Sequence, residues 1–333
     1  MMQKSVFTSA HTSRKSKPRY AGPVVVPAAG DPHRHSSENP KLARSDTSER
    51  AALPEFRALA GDLATRDAQD LMAYPFFSLA KNKRVEPIRF KTGSLTIQVE
   101  ATAEFGMATI WDADVLIWAA SQLVEARDRG LPTSRLLVVT PYEILTFSRR
   151  GTSVRDYQRL KAALDRLQST TVATSIRQPA GRRLHRFSWI NEWTEREDAT
   201  GRPLGLELVL PDWFYRGLLE DGLILTIDSS YFQLTGGIER WLYRLVRKHA
   251  GRQAAGWHFD FRHLHAKSGS LADFRNFAID VRTLVARQAL PGYHLTVVKR
   301  AAGEQLLCRP VPRVPVKTLI RQLAATLRVG DKP

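Results

Sequence analysis

"VRDYQRLKAALDRLQST", Val154 to Thr170, carries apolar side chains at Tyr157, Leu160, Leu164 and Leu167. Their intervals of 3, 4 and 3 put all four on one face of an α-helix. Ala163 joins that face, and Arg155, Asp156, Gln158, Arg159, Lys161, Ala162 and Arg166 are left turned outward. Such an outward face combines phosphate binders with base readers, because arginine can hold guanine by two hydrogen bonds and glutamine can hold adenine in the same way. An amphipathic helix with a basic face is common, so the elements around it decide what it is for.

Upstream, "WDADVLIWAASQLVEARDRG" reads as a helix with Asp112 or Asp114 as its cap, a broad apolar face, and Gly130 where a C-terminus favours glycine. A short strand "RLLVVT" follows, then a short helix "PYEILTFS" with Pro141 in its first turn. The turn "RRGTS", including Ser153, leads into the long helix. Downstream, "TVATSIR" and "RLHRFSWINEW" flank Pro179-Ala180-Gly181 and predict a β-hairpin with a basic tip of Arg177, Arg182, Arg183 and Arg186. Helix, short strand, short helix, turn, long helix, hairpin is the order of a winged helix, whose long helix enters a major groove while its hairpin touches the flanking backbone.

The plan recurs. "LELVL", "LILTI" and "YFQLT" are short β-type runs, and "PDWFYRGLLEDG" lies after the first of them. Gly236-Gly237 then opens the helix "IERWLYRLVRKHAG"; a phosphate-holding turn would also use glycines before a helix, but a plain helix entry is the simpler reading. In "LADFRNFAIDVRTLVARQ" the apolar residues Phe274, Phe277, Val281 and Leu284 repeat the 3, 4, 3 spacing at an offset of 117 residues (Tyr157 to Phe274), and "GYHLTVVKR" with "EQLLC" makes a second hairpin around Gly303. Spacing alone is weak evidence of duplication; the matching order of elements carries it. The expected fold is α+β, with two tandem winged-helix domains over 67–200 and 201–310, a disordered basic N-terminal tail over 1–66 with a short helix near "PEFRALAGDLA", and a C-terminal extension over 311–333.

The second outward face comprises Ser270, Asp273, Arg275, Asn276, Arg282 and Thr283, with Lys267 and Ser268 in the turn before it. Arg275 and Asn276 are its base readers. Arg182, Arg183, Lys299 and Arg300 on the two hairpins are expected to contact phosphate and position each domain without specifying sequence. The full set of expected DNA-binding residues is therefore Ser153, Arg155, Gln158, Arg159, Lys161, Arg166, Arg182, Arg183, Lys267, Ser268, Ser270, Arg275, Asn276, Arg282, Lys299 and Arg300.

Composition agrees. Among 333 residues Lys and Arg number 50 against 33 Asp and Glu, a formal charge of +17, so the partner to consider first is a polyanion. An apolar content of 43% supports packed cores and excludes a wholly disordered chain. A single cysteine, Cys308, allows no internal disulfide and no cysteine-rich zinc site, and no run is long and apolar enough for a membrane helix. "MMQKSVFTSAHTSRKSKPRY" lacks the apolar core of a signal peptide, so a cytoplasmic protein with no membrane partner is expected.

No catalytic residues, metal or cofactor are expected. There is no glycine-rich loop with Lys and Ser/Thr for a nucleotide, and the seven tryptophans mostly sit on apolar stripes as core. His263-Leu264-His265 in "DFRHLHAKSG" resembles the histidine pair of nucleases that nick DNA through a tyrosine, with Tyr293 as the conceivable nucleophile. That chemistry needs both histidines on one face of a strand. On the short helix that the tandem plan places here, His263 and His265 diverge.

"YPFFSLAKNKR", "TIWDADVLIWAASQL", "TPYEIL", "YQRLKAALDRLQSTTVATSI", "FSWINEW", "LELVLPDWFYRGLL", "YFQLTGGIERWLYRLVRKHAG" and "SGSLADFRNFAIDVR" together resemble the replication initiator protein A family of bacterial plasmids, over about residues 70 to 310. The resemblance implies a sequence-specific initiator that binds repeated sites in a plasmid origin on double-stranded DNA, helps open the duplex, and brings in host replication proteins such as the helicase or its loader. It also implies dimerisation through the N-terminal domain, with the dimer repressing its own promoter. A winged-helix transcriptional repressor is the rival reading and a rolling-circle nickase using His263, His265 and Tyr293 the next.

Overall fold

The computed structural model describes residues 52–179, 184–220, 222–301 and 303–312. Strands Glu55–Arg57 (β1) and Arg66–Ala68 (β2) precede a short helix Gln69–Ala73 (α1). Hairpin strands Ile88–Thr92 (β3) and Leu95–Glu100 (β4), helix Ala113–Asp128 (α2), strand Leu136–Val139 (β5) and helices Pro141–Phe147 (α3) and Val154–Ser169 (α4) follow. Next come Thr171–Thr174 (β6), His185–Ser188 (β7), Glu192–Glu197 (β8), Pro203–Val209 (β9) and helix Asp212–Leu219 (α5). Strand Ile224–Thr226 (β10) and a 3₁₀ turn Ser229–Gln233 lead to helix Gly237–Ala250 (α6), strand Trp257–Asp260 (β11), helices Phe261–Ser268 (α7) and Phe274–Arg287 (α8), and the hairpin Tyr293–Arg300 (β12) and Gly303–Pro310 (β13). The fold is mixed α+β.

Local chemistry explains the helices. In α4 the buried residues are Leu160, Ala163, Leu164 and Leu167, and the Asp156 carboxylate ties the entry by accepting from the Ser153 hydroxyl (2.6 Å) and N–H (3.2 Å). Thr140 and Glu143 close a reciprocal capping box around Pro141 at the start of α3. Gly130 takes a positive φ of 69° just past α2, the left-handed turn that glycine tolerates. Asp112 stands at the N-cap position of α2, one of the two the sequence offered, but its side chain makes no capping hydrogen bond. The carboxylates of Asp112 and Asp114 are buried and hold guanidinium groups instead: Asp112 binds Arg166 (2.7 and 2.8 Å), and Asp114 binds Arg150 (2.7 Å) and Arg240 (2.8 Å).

The second half has the expected pairing. Elements α6, β11, α7, α8, β12 and β13 follow in sequence, and the strands form a three-stranded antiparallel sheet, β11–β13–β12, whose hairpin closes at the Arg300–Gly303 pair. In the first half the same element order holds but the pairing differs. Strand β5 runs antiparallel to β9 and parallel to β1, while the hairpin β6–β7 joins β3 and β4 in a four-stranded sheet, β3–β4–β6–β7. Alternation identifies a strand but not its partner, which is fixed by contacts remote in sequence.

Several other expectations are corrected. Residues 55–57 are a strand, not tail or helix: Phe56 is buried and pairs across to Leu137. "YFQLT" forms a 3₁₀ turn closed by Asp228, whose carboxylate accepts from Ser230 N–H (2.9 Å). Segment 203–219, assigned to the second domain by sequence, completes the first sheet and core through Leu206, Leu208, Trp213 and Phe214. The expected tail up to residue 51 and the extension from 313 lie outside the described residues.

Two apolar cores result. One gathers Phe76, Phe77, Trp118, Trp189, Trp213 and Phe214 against α4; the other gathers Tyr231, Trp241, Phe259, Phe261, Phe277 and Val281. Helix α6 joins them. Its Arg240 reaches Asp114 and its Arg244 reaches Asp67 (2.7 and 3.0 Å), all four side chains nearly or fully buried. Gly237 at its start packs so closely on the Leu79 carbonyl that a Cβ would lie 1.9 Å from the oxygen, while Gly236 N–H donates to Glu239 (2.8 Å). That glycine pair is thus a close-packed helix entry.

Candidate nucleic-acid interface

On α4, Arg155, Gln158 and Arg159 are exposed along the outward face, beside Val154 and Ala162. Arg159 has one weak intrahelical partner, Asp156 at 3.4 Å, and hydrogen bonds from Ser153 hold the Asp156 carboxyl below its ordinary range. These side chains are therefore available to a ligand. Three neighbours are committed in different degrees. Ser153 is engaged with Asp156, Lys161 pairs with Glu195 (2.7 Å), and Arg166 closes a two-bond ion pair on buried Asp112. The Asp112 hydrogen bonds hold the Arg166 guanidinium charged and in place. Arg166 is structural, because two short bonds fix it to α2 and a phosphate would have to displace a buried carboxylate.

On α8, Arg275 and Asn276 are exposed, and Asn276 braces Asp273, whose carboxylate accepts from Asn276 N–H (2.8 Å) to cap the helix. Arg282 is tied to Glu304 on β13 and packs over the Phe261 ring. In the preceding turn the sequence reading fails for Ser268, which is fully buried and donates to the His265 carbonyl (2.8 Å). Ser270 accepts from Ala272 N–H (3.2 Å). Arg84, buried in the first half, donates to the Gly269 carbonyl (2.6 Å) and to Glu86 O (2.8 Å), so residues remote in sequence set the angle at which α8 leaves the turn.

Lys267 and Lys248 both lie over the Tyr74 ring, at 5.2 and 5.6 Å from its centre. Burial lowers the pKa of each, and their mutual repulsion adds to the effect on Lys267. Beside them burial, then these two lysines and His263, push His249 down to about 4. Lys267 was legible as a candidate; Lys248 was not, because it joins the cluster only when α6 meets the α7–α8 turn.

Lys299 and Arg300 are exposed at the tip end of β12. Arg182 and Arg183 lie outside the described residues. Arg177, placed by sequence at the basic tip, is turned inward: it pairs with Asp70 (3.1 Å), donates to Trp213 O (3.0 Å) and stacks on the Trp213 ring at 3.8 Å. Arg186, expected at the hairpin tip, lies instead within β7 in a basic row whose other members, Arg89 and Lys91, sequence reasoning missed. Backbone register lines up Arg89, Gln98, Ala173 and Arg186 across β3, β4, β6 and β7, with Lys91 two residues along on the same face. Arg89, Lys91 and Arg186 are exposed, whereas Ile88 on the opposite face is buried. The alternation Ile88-Arg89-Phe90-Lys91 held that signal.

His263 and His265 sit on α7, not on a strand. His265 Nε2 is 2.8 Å from Ala272 O and its ring packs on Phe274 and Phe277, His263 is exposed, and Tyr293 is buried beside Tyr243. The convergence that a histidine-pair nuclease needs is not formed by these residues.

The mixed α+β architecture is shared with a crystal structure of domains 2 and 3 of RctB, at a TM-score of 0.52 over 71% of this chain and 95% of that one. Identity there is 16%, so the likeness is one of fold. The chain belongs to the replication initiator protein A family, whose model matches residues 66–295. A relative from Wigglesworthia glossinidia brevipalpis, described as a replication protein, is 31% identical over 228 residues, 67% of this chain and 82% of the relative. Family membership supports a role in initiating replication of a plasmid or other replicon. No helix among the described residues is long and apolar enough to cross a membrane.

Proposed function

We propose that this protein starts replication by binding repeated sequences in the origin of its replicon through two winged helices, one in each half, and by using that binding to open the duplex and bring in the host helicase or its loader. The observation that carries this reading is the pair of long helices α4 and α8. They share their buried spacing and leave Arg155, Gln158 and Arg159 exposed on one, and Arg275 and Asn276 exposed on the other. Base discrimination by hydrogen bonds falls to these five residues. Lys299, Arg300, Arg89, Lys91 and Arg186 supply phosphate contacts, which add affinity on any sequence and make it salt-dependent.

Two helices entering successive major grooves on one side of the duplex would sit about 34 Å apart, one helical turn. Bending or unstacking an adjacent A·T-rich segment costs a few kcal/mol, offset by contacts that the bend permits. Buried Arg240–Asp114 and Arg244–Asp67 pairs keep the halves in one arrangement, so groove spacing becomes a property of the protein. In this reading the protein is cytoplasmic, forms a dimer that represses its own promoter, and cuts no DNA.

The test is a footprint on DNA flanking the protein's own gene, followed by strand-opening assays on the protected segment. Protected direct repeats with permanganate-reactive thymines beside them support initiation. A single palindrome at the promoter with no opening would make the protein a repressor, and nicking of supercoiled origin DNA that is lost in Tyr293→Phe would make it an enzyme.

A further inference from the structure

The long helices share more than their buried spacing. At the same 117-residue offset that relates Tyr157 to Phe274, Val154 corresponds to Leu271, and both are aliphatic side chains standing in solvent, 76% and 56% exposed. Val154 is the first residue of α4, and Leu271 lies in the turn three residues before α8. Neither side chain is in an apolar core. A β-branched residue gains nothing as a helix opener, and leaving an aliphatic group in water forgoes its burial energy. Two such residues, one opening α4 and the other in the turn that leads into α8, stand where a groove-reading helix presents its N-terminal end and call for an apolar partner that arrives with the ligand.

The major groove offers one apolar group, the 5-methyl of thymine. Resting on the DNA-reading role of α4 and α8, the geometry points to Val154 and Leu271 as the residues that select thymine in each half of the site, by packing on its methyl group. Gln158 lies one turn after Val154 on the same face and is exposed, so an adenine held by Gln158 next to a thymine touched by Val154 makes an A·T step the preferred target of α4.

The test starts from duplexes enriched by the full-length protein from a random pool, with each thymine in turn replaced by uracil to remove only the methyl group. One uracil position in each half of the site weakens binding by about fourfold, the value of one buried methyl-sized group. Val154→Ser abolishes the uracil effect in one half and Leu271→Ser in the other, with melting temperature and affinity for random duplex unchanged. Specific binding that ignores uracil everywhere, or a Val154→Ser protein that keeps both uracil effects, overturns the inference and leaves the DNA-reading role standing. Failure to enrich any sequence overturns that role as well.

Discussion

Arg159 and Arg166 lie two turns apart on α4, the first in solvent and the second closed on Asp112 by bonds of 2.7 and 2.8 Å. Sequence assigns them the same task and the structure separates them. Arg159→Ala is expected to cost about 1–3 kcal/mol on specific duplexes while leaving the melting temperature unchanged. Arg166→Ala strands a buried carboxylate and should lower folding stability by about 3 kcal/mol, read by denaturant titration, with base preference intact. At the same scale His249 gives a pH dependence. Its folded pKa, about 4, is below the ordinary 6.5, so the unfolded chain takes up a proton first as pH falls. The stability contributed by neutral His249 is fully present above pH 6.5 and lost as pH falls towards 4. His249→Phe, which suits a site formed by Trp257 and Phe259, should flatten the melting-temperature profile in that window while leaving its value at pH 7.5 nearly unchanged.

At the scale of elements, helix α8 was legible from its stripe of Phe277, Val281 and Leu284, but the sequence pattern starts it at Leu271, three residues early, and assigns Asp273 to the outward face rather than to the cap it forms. Phe277→Ala empties a site in the second core and is expected to destabilise by about 3–5 kcal/mol, measured by urea unfolding. The strands were legible as strands but not as pairs. Nothing local in "RLLVVT" says that Leu136 meets Val209 and Glu55, or that the first hairpin extends a sheet begun by Ile88–Thr92. The same limit hid the basic row on the first sheet. Arg89 and Arg186 are 97 residues apart (186 minus 89) and fall in one row only through β4 and β6. Arg177 shows the converse, a basic residue in a turn that a neighbouring aspartate and a tryptophan face draw inward.

For the whole molecule, Asp114 and Asp67 on the first half hold Arg240 and Arg244 on α6 in a nearly dry setting, so neither half can turn without breaking two buried ion pairs. Arg244→Ala should therefore lower stability by about 3–5 kcal/mol, and calorimetry should resolve two transitions where the unaltered protein gives one. If α4 and α8 both read DNA, as proposed, an arrangement held by these pairs would join their two short sites into one of fixed length. The most direct measurement is a base-by-base specificity profile of the full-length protein alongside Arg159→Ala and Arg275→Ala. Each variant is predicted to lose discrimination at its own few positions, the two sets about one helical turn apart. Uniform weakening on every sequence, with the profile unchanged in both variants, would contradict the assignment of α4 and α8 as the elements that read DNA.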